Sequence, residues 1–72
     1  MTILEAIAQL ESPDTRLDAL RWLQSQDLSI DALKTIDEAM AVIRSANFGM
    51  LPIDEQLIMA ALRARYLLKR DV

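Results

Sequence analysis

The segment 52–69, PIDEQLIMAALRARYLLK, decides how this chain folds. It is typical of a helix, because a proline opens it, Asp54 and Glu55 lie in its first turn, and cations lie near its end. At about 100° per residue, roughly one third of its circumference is apolar, and we expect this part to be the core face. The residues of this expected core face are Ile53, Leu57, Ala60, Ala61, Ala64, Leu67 and Leu68.

The same segment carries a second apolar strip on the far side of the helix. Its members are Ile58, Met59, Leu62 and Tyr66. A helix that is apolar on both sides must be covered on both sides, so it lies at the centre of a bundle or meets another molecule. We expect this strip to be the apolar centre of a protein-binding patch, with Arg63 and Arg65 at its charged edge.

The preceding stretch 47–53, NFGMLPI, is expected to be the break between the last two helices, because it holds the only glycine and a proline. Asn47 is predicted to end the third helix in the left-handed conformation, and Phe48 to fold back on Ile43. Three further apolar residues are then expected to plug the open end of the bundle: Met50, Leu51 and Ile53. The alternative is that these side chains are solvent-exposed anchors for a partner.

Three earlier helices are predicted from their start signals. Thr2 and Glu5 form a capping box before a helix over 3–11, and Ser12 with Pro13 starts a helix that ends near residue 26. Ser29 caps the third helix. The inward stripe of this third helix is Leu33, Ile36, Met40 and Ile43. The sequence therefore predicts an all-α protein, a small dimeric four-helix bundle with antiparallel neighbours, as one domain over 1–72.

Trp22 is the other candidate for partner binding. The leucines at positions 17, 20 and 23 define the inward stripe of the second helix, and Trp22 points about 160° away from its centre. Either the ring lies flat under a neighbouring helix, or it is an anchor in an interface, where tryptophan concentrates binding energy. We therefore include Trp22 among the expected partner-binding residues.

The composition argues against catalysis and against a bound cofactor or metal. Among 72 residues there is no cysteine and no histidine, which removes thiolate and imidazole ligands, the cysteine nucleophile and the usual general base. Asp27, Ser29, Asp31 and Glu38 resemble the EF-hand pattern over four positions, but Ala32 stands where the calcium loop needs glycine. We therefore expect a protein that is not an enzyme and has no cofactor or metal site.

The charge of this small acidic protein is uneven. The formal net charge is −3, yet Arg63, Arg65, Lys69 and Arg70 cluster near the end. Acidic residues at the start of the third helix would repel phosphates, so DNA binding of a helix-turn-helix type is the alternative function rather than the first. The longest apolar run, 57–62, is too short to span a bilayer, and no signal peptide is evident, so we expect a cytoplasmic protein without membrane contact.

These observations together favour binding over chemistry. An apolar fraction of 53% exceeds the usual range, and one core of this size stabilises a chain by only about 3–5 kcal/mol. We therefore expect a homodimer and a regulatory or inhibitory role exerted by binding another protein through apolar helix faces. The identity of that partner does not follow from the sequence.

Overall fold

The computed structural model describes residues 1–71, which form an all-α bundle of four helices and so confirm the predicted fold class. The helix ends differ from the predicted ones by at most two residues. The helices are α1 (Ile3–Gln9), α2 (Pro13–Ser25), α3 (Ile30–Ala46) and α4 (Ile53–Arg70).

The predicted start signals act at the first three helices. Thr2 accepts a hydrogen bond from the Glu5 amide at 3.1 Å, and the Glu5 carboxylate accepts one from the Thr2 amide at 3.2 Å, which completes the capping box. Ser29 accepts from the Ala32 amide at 3.2 Å. Ser12 occupies the N-cap position of α2 without a side-chain bond, and Pro13 follows it in the first turn.

The four helices form a ring in the order α1, α2, α4, α3. Within residues 1–71, α4 packs against α2 and α3, and α1 packs against the same two helices. Contacts of Arg63 with Asp37, and of Lys69 with the Leu28 carbonyl, show that α3 and α4 run antiparallel. Each helix in such a ring turns one face inward and leaves the opposite face to solvent.

The core lies inside this ring and draws on all four helices. The predicted stripe of α3 is buried as expected, and Trp22 and Tyr66 pack partly buried against the core. The largest fully buried side chains are Leu10, Leu20, Leu23, Leu28, Leu33, Ile36, Met40, Met59 and Leu62.

The expected core face of α4 was assigned to the wrong side of the helix. Met59 and Leu62, placed above in the outer strip, are each 1% exposed, whereas Leu57 is 63% and Leu68 is 72% exposed. The reason is that the inner face also carries Glu55, which is buried because Arg16 pairs with it. The strip that holds Met59 and Leu62 is therefore covered by its own chain.

The loop before α4 also differs from expectation. Asn47 has a φ of −105°, and the left-handed residues are instead Phe48 at 52° and Gly49 at 73°. Phe48 does not fold back on the core, since its side chain is 90% exposed, and Met50 is 85% exposed. Of the three residues expected to plug the bundle, only Leu51 is buried.

Candidate protein-binding surface

The outer face of α4 is a continuous apolar stripe in solvent. At about 100° per residue its members fall within about 80° of the helix circumference, and they extend over about 22 Å of its axis. The molecule itself measures 32 Å in its longest dimension, so the stripe is about two thirds as long as the molecule. We call this surface the α4 stripe; its exposed residues are Ile53, Leu57, Ala60, Ala64 and Leu68.

Polar side chains border the α4 stripe on the side of α3. Both Asp37 carboxylate oxygens accept hydrogen bonds from Arg63 at 3.0 Å. Gln56 donates to the Leu51 carbonyl at 2.6 Å and to the Gly49 carbonyl at 3.3 Å. These bonds fix the border to α3 and to the loop, so the stripe has a defined edge there.

The border on the side of α2 holds one acid and one cation. Arg65 donates to the Gln24 carbonyl at 3.1 Å and to the Gln26 carbonyl at 2.9 Å, which satisfies the end of α2. Asp54 is exposed on the same flank, about 80° around the helix from the centre of the stripe. The two residues lie near opposite ends of α4.

Two apolar side chains of the preceding loop extend the exposed surface along the chain. We call Phe48 and Met50 the loop pair. The left-handed backbone of Phe48 costs a residue with a side chain about 1–2 kcal/mol, and its 90% exposed ring recovers little of this by burial. Residues held in sparsely populated backbone regions cluster at functional sites, so the backbone of Phe48 makes the loop pair a candidate for function.

The residues predicted to bind a partner are distributed differently from expectation. Met59 and Leu62 lie in the core, and Ile58 and Tyr66 are half-buried against it. The interpretation of these four residues as an uncovered strip was wrong, because the ring of helices encloses that face.

The two arginines of the predicted charged edge, and Trp22, also contact other parts of the same chain. Arg63 and Arg65 bond to α3 and α2, as described above. Trp22 is half-buried and packs against the core. The structure thus brings Arg63 and Arg65 beside the α4 stripe and leaves Trp22 on another helix.

A buried ion pair joins the starts of α2 and α4, and the sequence interpretation missed it. Arg16 and Glu55 are 5% and 6% exposed, and an Arg16 nitrogen lies 3.3 Å from a Glu55 oxygen. Arg16 also donates to the Leu10 carbonyl at 2.7 Å and to the Glu11 carbonyl at 3.4 Å. Glu55 was interpreted only as a first-turn acid, and its position on the face of Met59 and Leu62 was the available signal.

A second apolar region lies between α1 and α3. It is a groove of about 290 Å³ lined by Leu4, Ile7, Ala8, Glu11, Ala39, Val42 and Ile43. Leu4 is 77% and Val42 is 69% exposed. A smaller groove of about 210 Å³ lies beside the α4 stripe on the side of α3.

Residues 1–71 contain no group of three or more acidic side chains arranged to hold a metal ion. In the same described part of the chain, every buried side-chain nitrogen and oxygen has a hydrogen-bond partner. None of the four described helices combines the length and the apolar character needed to cross a membrane.

Comparisons with known proteins add no identity. No protein-family model matches this sequence, and the searches of curated proteins and of solved structures also give no match.

Proposed function

We propose that this chain is a small non-catalytic regulatory or inhibitory protein that works as a homodimer and binds another protein. The observation that carries the proposal is the exposed apolar surface of the α4 stripe and the loop pair. Five large apolar side chains of this part of the chain are at least 63% exposed: Phe48, Met50, Ile53, Leu57 and Leu68.

Burial of these side chains offers a large driving force for association. Full burial of one such side chain stabilises a complex by about 1.5–3 kcal/mol, so a partner that covers several of them gains considerably before the costs of association. An apolar centre with a polar border is the usual construction of a protein interface. The arginines and Gln56 supply that border.

The DNA-binding alternative receives no support from the cations near the end of the chain. Arg63 pairs with Asp37, and Arg65 and Lys69 donate to carbonyls of the chain. Arg70 lies 5.7 Å from the centre of the Tyr66 ring and 3.7 Å from an Asp71 oxygen. Because these cationic side chains already contact other groups of the same chain, their positions do not require a phosphate ligand.

The test is quantitative capture of proteins from a lysate of the cells that produce this chain. Wild-type chain is compared with Phe48→Ser plus Met50→Ser, which removes the apolar character of the loop pair. We expect one protein to be captured in near-stoichiometric amount by the wild type and at least about tenfold less by the variant.

The matched control is Leu4→Ser plus Val42→Ser, which removes two apolar side chains that are also mostly exposed, but on another face. This control is expected to capture the same protein as the wild type, and circular dichroism should show equal helix content in all three proteins. Equal capture by the wild type and the loop variant, or no specific capture, would reject the proposal.

A further inference from the structure

We propose that the α4 stripe is covered by the α4 stripe of a second copy, with the two helices antiparallel about a twofold axis beside Ala60 and Ala61. This inference rests on the proposed function, since it names the occupant of one part of the same surface. The loop pair then lies outside the pairing and is left for the external partner.

The side chains of the α4 stripe are complementary in size under this symmetry. Alanines lie at the centre, which lets two helices approach to about 8 Å between their axes. With the axis beside Ala60, Leu57 faces the small side chain of the partner's Ala64, and Ile53 faces the partner's Leu68. Near the twofold axis the large Leu57 therefore meets a small residue, and large residues meet each other only at the two ends of the stripe.

The charges on the borders favour the antiparallel arrangement. Helical geometry places Asp54 and Arg65 on the same flank of the stripe, about 80° and 100° from its centre. In an antiparallel twofold pair each flank meets the same flank of the other copy, so Asp54 lies opposite the partner's Arg65. The symmetry repeats this contact, which gives two opposite-charge pairs.

The parallel arrangement brings like charges together. Arg63 and Arg65 lie on opposite flanks at nearly the same height along α4. In a parallel pair, opposite flanks meet at equal height, so Arg63 would lie opposite the partner's Arg65 on both sides of the seam. Like charges at such positions destabilise a helix pair, and Asp54 would find no cation nearby.

The bonds that Arg65 already makes do not exhaust its guanidinium. It donates one bond from each terminal nitrogen to the Gln24 and Gln26 carbonyls, and further N–H groups remain. The carbonyls hold the guanidinium in place before association, which lowers the entropy lost when it meets Asp54 of the partner subunit. On the other flank, the antiparallel pair places Arg63 opposite the partner's uncharged Gln56.

Disulfide cross-linking tests the arrangement directly, because the natural chain contains no cysteine. Leu57→Cys and Ala64→Cys are made separately, mixed in equal amounts and oxidised at about 100 μM, and the products are separated by mass spectrometry. We expect the mixed 57-to-64 disulfide to form at least about tenfold more than either homodimeric disulfide, since only facing Cα atoms within about 7 Å can be bridged.

Dominance of the two homodimeric disulfides would show a parallel pair and overturn the inference. No cross-link beyond that of the exposed control Val42→Cys, together with a monomer mass by light scattering at about 100 μM, would also overturn it. As a second variant, Asp54→Arg places like charges opposite each other and is expected to raise the dimer dissociation constant at least about tenfold. An unchanged constant would contradict the charge pairing.

Failure of this inference and failure of the proposed function are distinguishable. The cross-linking reports only on the α4 stripe, whereas the capture experiment changes only the loop pair. A monomeric chain that loses its captured protein on Phe48→Ser plus Met50→Ser would support the binding of another protein and reject both the homodimer and the self-pairing.

Discussion

The inner and outer faces of α4 differ in a way that reverses the usual expectation. The inner face carries the buried Glu55 and is bordered by Arg65 and Lys69, whereas the outer face is free of charge over four turns. These charged residues lie beside the core and bond to α2 and to the loop between α2 and α3. The charge-free face is the one left in solvent.

This contrast teaches that apolar width alone does not identify a core face. Charged side chains with aliphatic stems cover apolar surface and satisfy the carbonyls at neighbouring helix ends, so they belong at the border of a core. Depletion of charged residues at the centre, with polar residues at the rim, is typical of an interface between molecules.

Loss of the ion pair on the inner face should have the largest effect. Arg16→Met leaves the Glu55 carboxylate buried without a cation and removes bonds to the end of α1, so we expect a loss of about 3–5 kcal/mol in the free energy of unfolding. A chain of this size has about that much stability in total. Circular dichroism in a urea titration should find the variant largely unfolded.

The control for this prediction is the double variant Arg16→Met plus Glu55→Met. Because it leaves no buried charge, we expect it to be more stable than Arg16→Met by at least about 1 kcal/mol, although the α1 carbonyls remain unsatisfied. A double variant no more stable than the single one would show that the two side chains are not coupled.

Truncation of one leucine on each face of α4 should change the free energy of unfolding by very different amounts. Leu62→Ala opens a cavity in the core and should cost about 2–5 kcal/mol. Leu57→Ala, measured at about 1 μM to limit self-association, should change the free energy of unfolding by about 0.5 kcal/mol or less. Equal losses for the two variants in urea titrations would contradict the assignment of the faces.

The loop between α3 and α4 gives a smaller effect. Gly49 has a φ of 73°, and an added Cβ would meet no atom within 4 Å, so Gly49→Ala should cost only the backbone strain of about 1–2 kcal/mol. Phe48→Asn should instead stabilise the chain by several tenths of a kcal/mol, because asparagine tolerates the left-handed conformation better. Thermal unfolding would test both signs, and a stabilising Gly49→Ala would refute this explanation of the loop.

The surface ion pair beside the α4 stripe should matter least to folding. The Arg63 side chain is 47% exposed and that of Asp37 is 15% exposed, so solvent screens their attraction. Arg63→Ala is expected to lower the free energy of unfolding by about 0.2–1 kcal/mol, and less in about 1 M salt. A loss as large as that of Arg16→Met would mean that the two pairs are not distinguished by burial.

The sequence predicted the helices well because local signals determine them. The capping box of Thr2 and Glu5, the Ser29 cap and the apolar stripe of α3 each depend on residues within a few turns. The inner face of α4 was not predictable in this way. The inner face depends on the pairing of Glu55 with Arg16, which lies 39 positions away in the chain. No local sequence pattern predicts such a pair.

The candidate surface was predicted in kind but placed on the wrong residues. The sequence predicts two apolar strips on α4, and both are present. The wider strip, with Leu57 and Leu68, was wrongly assigned to the core, which instead contains Met59 and Leu62 of the narrower strip. In the loop, Phe48 and Met50 are exposed, whereas Leu51 is buried as first expected. The first left-handed residue is Phe48 rather than Asn47. The side-chain amide of Asn47 instead donates a hydrogen bond to the Ile43 carbonyl at 2.7 Å.

Thiol labelling can show which face of α4 is exposed to solvent, since the chain has no cysteine of its own. Leu57→Cys and Leu62→Cys are alkylated under native conditions at about 1 μM, and each rate is divided by that of the same variant in denaturant. We predict near-complete reactivity at position 57 and at least about hundredfold protection at position 62, which reacts only when the bundle opens. Protection at position 57 with free reaction at position 62 would contradict this account of the molecule.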